Sequence, residues 1–484
     1  MTPGKLFLGT IAIASASALR LAAQVLVMPI VARLIGPNNY GLAVLAGTVL
    51  AFVLRFGDFG FGATIVRARS SSRDLDSTVF WIAIGITPAL AALLAMAAYP
   101  LGMFLGHPEV SPLLLCISPL PIIIGATVVP AALLQRDGKF KAVAACEIIS
   151  AFVGIAVVIY GSLSGWGAWA LIAQQFGFWA SKLAIIEFLT RFLPAPVLRL
   201  SLIASSFRFN ARLWAANIIG FFAGNLDNLV IATFLSSASL GYYALVYQII
   251  SIPNSILGAS HYSLFPAFAE TRRLGRPAQA TYASAIRLIL LITAPAIVGL
   301  VIIAAPLVTV MLGESWKPTA MLIRLLAPAG LLMPIFVLNS ALFLGFDRAD
   351  LELRVQVLKS GLVLAAIIGG LALGVEGVAG GVSIGFGVAF AVCMYWAMRT
   401  GGISFSALVE AVQAPLAASA TLALGVSAVR VTCFQGLNPV SDLVLSVVAG
   451  CVIYLSALYL GFRSQFLEDI FQVRLLLKAK IKTS

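Results

Sequence analysis

The chain has 484 residues, 61% of them hydrophobic and only 10% charged, with a mean hydropathy of +1.05. Soluble domains average about 25% charged residues, so this composition excludes a soluble globular fold and indicates a polytopic membrane protein. The net charge of +13 would suit nucleic acid, but membrane proteins collect Lys and Arg in cytoplasmic loops, and the loops below account for it.

The first apolar stretch, near 9–33, follows Lys5 and contains Ala14-Ser15-Ala16-Ser17-Ala18, a signal-peptide pattern. It runs on to Val31, too long for a signal h-region, and reads as an uncleaved first span. A span needs about 20 mostly apolar residues. Thirteen further spans meet that rule, near 41–65, 78–104, 112–134, 142–161, 167–190, 209–234, 241–268, 282–304, 318–345, 355–374, 377–398, 407–429 and 442–462. The stretch 306–312 completes the ninth beyond a kink at Pro306. With the N-terminus inside, the cytoplasmic segments hold 21 of the 31 basic residues, whereas the opposite loops hold only Arg33, Lys317 and Arg430. This bias predicts fourteen spans with both termini cytoplasmic and needs no nucleic-acid partner.

A weak internal repeat is present. Ala32 to Ile35 followed by Gly41 matches Ala232 to Leu235 followed by Gly241, an offset of 200 residues. Leu134, Asp137 and Gly167 match Leu344, Asp347 and Gly377 at an offset of 210. Six spans return the chain to the same side, so the repeats are parallel. The expected organisation is an N-lobe over 1–190 and a cytoplasmic linker over 191–208. A C-lobe over 209–398, accessory spans 13 and 14 within 407–462 and a basic amphipathic cytoplasmic tail over 463–484 complete it.

Seven basic residues remain inside spans: Arg20, Arg55, Lys182, Arg212, Arg287, Arg324 and Lys359. A charge at mid-bilayer costs roughly 2.5–3.5 kcal/mol on insertion scales, which makes each a functional candidate. Arg212, Arg287 and Lys359 lie near cytoplasmic ends and are expected to snorkel to the headgroups. Glu147 and Glu187, also near those ends, are expected to be structural or interfacial, and the loop acids Asp74, Asp76, Asp137, Asp347, Asp350 and Glu352 to be solvated. At 100° per residue, polar side chains form stripes about 80° wide. The first span carries Thr10, Ser17, Arg20 and Gln24, and the second Thr48, Arg55, Asp58 and Gly62. The sixth carries Gln175, Phe178 and Lys182, and the seventh Asn210, Trp214, Asn217, Asn225 and Asn228, with Asp227 off the stripe. The eighth carries Tyr243, Tyr247, Ser251, Asn254, Gly258 and His261. Spans 1 and 2 correspond to 7 and 8 under the repeat, and the simplest arrangement points their stripes at a central cleft. Arg55 and Asp58, at i and i+3, would otherwise only neutralise each other; Arg20 has no acid near it in its own span.

The cation excess in the spans suits an anionic ligand such as a diphosphate, since Arg binds phosphate through charge-assisted hydrogen bonds. The five cysteines form no CxxC pair and the two histidines are scattered, so no disulfide, metal or other cofactor is expected. GxSxG, HExxH and Walker A patterns do not occur, and the loops leave little room for a catalytic head; the chain does not read as an enzyme.

The run Ala32 to Leu42 (ARLIGPNNYGL) resembles polysaccharide-transporter proteins, as do Phe56 to Ala63, Val79-Phe80-Trp81, Leu133 to Phe140, Asn225 to Asn228 and Leu240 to Tyr243. Over about residues 20–400 the order of these motifs is similar to the Wzx-type oligosaccharide flippases of the multidrug/oligosaccharidyl-lipid/polysaccharide exporter superfamily. The resemblance implies an all-α bundle of two lobes around a central cavity, in the bacterial inner membrane. Its implied activity is flipping an undecaprenyl-diphosphate-linked sugar repeat for exopolysaccharide, O-antigen or capsule synthesis, by alternating access. The polymerase and chain-length regulator of the same pathway are implied partners. Related flippases carry Arg on their first two helices, which implies diphosphate binding by Arg20 and Arg55. The candidate substrate site adds Gln24, Lys182, Asn217, Asn225, Asn228, Tyr247 and Arg324, with Asp58 and Asp227 as candidates for ion coupling. An ion-coupled multidrug exporter is the alternative, though it would place a carboxylate deep in the first span, where there is none; a membrane polymerase is a third reading.

Overall fold

The computed structural model describes residues 3–57, 61–67, 72–202, 218, 221, 224–433 and 436–462. Asp58, Asn210, Arg212, Trp214, Asn217 and the tail 463–484 lie outside them, as do the side chains of Thr10, Ser17, Gly258 and His261. The regular elements of the described residues are all helical. Nine helical stretches among them are long and apolar enough to cross a bilayer.

Two of the nine are double. Leu19–Phe56, at 38 residues, would be about 57 Å long as one helix, against a hydrocarbon core of about 30 Å. It breaks at Gly36, whose φ of 75° and ψ of 166° lie outside the helical region, a conformation that glycine adopts without a Cβ clash. Ala349–Gly401, at 53 residues, breaks at a tight turn over Leu371–Leu373 and at Gly374, with φ of 69°. Both breaks fall where the sequence places turns between spans. The chain divides into two compact units, Met1–Gly241 and Tyr242–Ser484.

Within the first unit, Gly41 and Gly241, which the repeat equates, meet at a helix crossing. A Cβ on Gly41 would lie 1.8 Å from the Ser237 carbonyl oxygen, and one on Gly241 2.1 Å from that of Pro37. Neither position admits a side chain without moving backbone. Ser237 also donates its hydroxyl to Asn38 Oδ1.

The segment after Thr190 is strapped to the start of the helix Arg73–Phe104. Ser77 Oγ accepts from the Ala195 amide at 2.9 Å, Thr78 Oγ1 from that of Arg199 at 3.0 Å, and Trp81 Nε1 donates to the Ala195 carbonyl at 2.8 Å. Pro194 and Pro196 have no amide hydrogen to lose, which suits an extended strand held by side chains. Asp76 is a correction to the solvated-loop reading. It is buried under this strap, in the first turn of its helix, and Arg136 binds it at 2.9 and 3.1 Å in a two-pronged ion pair.

In the second unit, Gln279–Ile302 continues through Ala304–Leu307 into a wide turn over Val308–Leu312, so the predicted extension past Pro306 is present. The helices Phe405–Cys433 and Pro439–Gly461 pack on Gln279–Ile302. Leu422, Val426, Tyr454 and Leu458 form a buried cluster against Leu291 and Val298, and Tyr454 donates to the Leu291 carbonyl at 2.9 Å. Arg430 locks the far end, holding Asp442 at 2.8 and 3.0 Å.

Candidate functional site

The first unit's polar pocket is built on a helix hairpin. Phe140–Leu163 and Ala168–Thr190 join through Gly165 and Gly167, with φ of 76° and 57°. Small residues let the two backbones close. A Cβ on Gly154 would lie 3.3 Å from the Gln174 carbonyl oxygen, and one on Gly161 3.1 Å from the Ala170 Cβ. The antiparallel register that carries Gly161 to Ala170 and Gly154 to Gln174 carries Glu147 to Lys182.

There Lys182 Nζ donates to Glu147 Oε1 at 2.5 Å, and Arg20 Nη1 stands 3.6 Å from Glu147 Oε2. The side chains are 14% exposed for Lys182, 27% for Glu147 and 46% for Arg20. Lys182 is committed to the carboxylate; Arg20 is close enough for Coulomb attraction but beyond hydrogen-bond length. The Lys182 ammonium also sits 4.8 Å from the Trp179 ring centroid and 5.6 Å from that of Phe178, where the ring faces attract it. Beside this trio is a cavity of about 250 Å³ bordered by Arg20, Gln24, Gln174, Gln175 and Phe178. Two cations against one carboxylate leave a formal charge of +1, and the guanidinium that borders the cavity is the least engaged of the three.

The structure thus brings together Arg20, Gln24 and Lys182, with Gln175 and Phe178 of the predicted sixth-span stripe. Of the two roles expected for Glu147, structural or interfacial, the contacts fit the structural one: it bridges two cations. The hairpin register was the signal, since a short glycine turn between two spans fixes which residues face each other.

The other predicted residues lie elsewhere. Arg55 is exposed in the last turn before Gly57 and does not border the cavity. Asn225 donates its side-chain amide to the Phe221 carbonyl at 3.0 Å, and Asp227 Oδ1 accepts from the Asn228 backbone at 2.8 Å, both local contacts. Arg324 is exposed on Thr319–Gly345.

Tyr247 belongs to a second polar pocket, of about 480 Å³, inside the second unit. This too rests on a glycine-packed hairpin, Ala349–Gly370 with Gly374–Gly401. Gly377, Gly381 and Gly385 form a stripe at four-residue spacing, as small residues do where membrane helices meet closely. A Cβ on Gly381 would lie 2.4 Å from the Ala366 carbonyl oxygen. Lys359 corrects the snorkelling expectation: it borders this pocket, 5.3 Å from the Phe336 ring centroid and 5.8 Å from that of Phe386. Among the described residues no three His, Cys, Asp or Glu side chains come together as a metal site.

The fold is one already seen in a membrane transporter. The chain is similar to the solved lipid II flippase MurJ in an inward closed conformation, with a TM-score of 0.72 over 95% of this chain and 100% of that one, at 16% identity. In sequence it belongs to the family described as polysaccharide biosynthesis protein, which matches residues 30–321. It is 25% identical over 358 residues to the lipopolysaccharide biosynthesis protein WzxC of Escherichia coli (strain K12), covering 72% of each chain. It is 29% identical over 311 residues to the succinoglycan biosynthesis transport protein ExoT of Rhizobium meliloti (strain 1021), covering 63% of each.

Proposed function

We propose that this protein is a flippase that carries a polyprenyl-diphosphate-linked oligosaccharide across the bacterial inner membrane for surface polysaccharide synthesis. Fourteen spans in two lobes, moving by alternating access, would carry the ligand. One observation supports the reading most: Arg20 borders a polar cavity while Glu147 spends its short contact on Lys182. A diphosphate oxygen can take the guanidinium N–H donors without breaking the Glu147–Lys182 bond. Each hydrogen bond to a charged group contributes about 1.5–3 kcal/mol. On the topology that the loop charges predict, Arg20 lies about 16 Å along the span expected from residue 9, near mid-bilayer. Family membership and the names of the relatives, which concern polysaccharide synthesis and transport, point the same way.

In this reading Gln24 and Arg55 assist the diphosphate, with Lys182 fixing Glu147. Arg324 meets ligand charge along the path, and Asn217, Asn225, Asn228 and Tyr247 meet the sugars. Protonation at Asp58 and Asp227 couples the movement to an ion gradient. The test is complementation of a deletion strain. Arg20→Ala and Arg55→Ala together should leave lipid-linked repeat units on the cytoplasmic leaflet. Full polymer export by a well-expressed double variant would refute the site.

A further inference from the structure

The pocket of the second unit has a different chemistry. Glu352, Gln356 and Lys359 lie at i, i+4 and i+7 on one helix, so they share a face and span about 10 Å along its axis. Aromatic rings of Tyr247, Phe336 and Phe386 border the same space. Asn254 also borders it, and its Oδ1 is buried without a hydrogen-bond partner among the described residues. Leaving a buried acceptor unsatisfied is costly, so a donor that reaches it from the cavity is favoured.

Charge and polarity select the occupant. One ammonium and one carboxylate cancel, so a diphosphate entering here would meet Glu352 with no surplus of positive charge. A lipophilic cation would be repelled by Lys359. A polyprenyl chain would strand four polar side chains away from water, which is costly. A sugar fits each group. Its hydroxyls donate to Glu352 and to Asn254 Oδ1, accept from Lys359, and do both with Gln356. Its C–H faces pack on aromatic rings, which offer an apolar face within a polar rim. The volume of about 480 Å³ lies in the range of small-molecule sites, about 300–1,000 Å³.

We infer that this pocket is a saccharide subsite. It takes one pyranose ring of the transported ligand between the aromatic side chains and the Glu352–Gln356–Lys359 row. The inference rests on the flippase reading for its ligand but on different residues from the diphosphate site.

The test uses the purified full-length protein in lipid nanodiscs. Saturation-transfer NMR is recorded with the methyl glycosides of glucose, galactose and glucuronic acid, and 31P line broadening with inorganic diphosphate. At least one glycoside should receive saturation in the wild type and in Arg20→Ala. The transfer should fall at least fivefold in Gln356→Ala and in Phe386→Leu, each checked for wild-type helicity by circular dichroism. Transfer to no glycoside, or transfer unchanged in both pocket variants, would overturn the subsite. Diphosphate broadening should vanish in Arg20→Ala and persist in Gln356→Ala; its absence from the wild type would count against the diphosphate site and leave the sugar result standing.

Discussion

The repeat that the sequence suggests would pair the two hairpins that build the pockets, yet they are not chemical copies. Gly167 before the second helix of one corresponds to Gly377 in the other, and both hairpins close through glycine. The charged groups do not follow the offset. At the same offset of 210, Glu147 corresponds to Val357 and Lys182 to Val392, while Lys359 corresponds to Ile149. The first hairpin holds its lysine by a carboxylate at 2.5 Å; the second holds its lysine by aromatic faces.

The sharpest way to break this comparison is to remove the carboxylate. Glu147→Leu strands the part-buried Lys182 ammonium, which should cost up to about 3 kcal/mol, the low end for buried pairs. The double variant with Lys182→Leu should recover most of that, read by thermal melting of the purified protein. Next come the glycines. A Cβ at Gly381 meets backbone at 2.4 Å, whereas one at Gly154 is 3.3 Å from its nearest atom. Gly381→Ala should therefore destabilise by about 1–3 kcal/mol, as overpacking does, and Gly154→Ala by clearly less; equal melting shifts would show that the second hairpin is no tighter than the first. Smallest is Lys359→Met, which keeps the aromatic packing and forfeits a cation–π attraction of about 0.5–2 kcal/mol. A loss as large as that of Glu147→Leu would mean that Lys359 is held by more than the rings.

Much of the scaffold was legible in the sequence. Turns at Gly36 and Gly374, the extension past Pro306 and the stripe of Gln175, Phe178 and Lys182 follow from apolar length, glycine placement and helical period. What the sequence left open has two causes, helix starts and helix partners. Helices start earlier than the apolar windows suggest: at Arg73 rather than 78, at Phe140 rather than 142, and at Ala349 rather than 355. Lys359 is thus in the third turn of its helix, where packing against Phe336 and Phe386 decides its direction, not in a first turn within reach of the headgroups. Asp76 sits in a first turn that the strap and Arg136 cover, which no single-helix pattern reveals. Glu147 needed the partner helix as well, because its cations come from two other helices. Periodicity gives the face of one helix; a charge's partner depends on which faces meet.

The central claim is that Arg20, only loosely paired with Glu147 at 3.6 Å, holds the diphosphate. Its most direct test is the affinity of purified protein in nanodiscs for undecaprenyl diphosphate, compared between wild type and Arg20→Ala. Loss of one charge-assisted hydrogen bond predicts binding weaker by roughly 10–100-fold. Equal affinity in a folded Arg20→Ala variant would contradict the account.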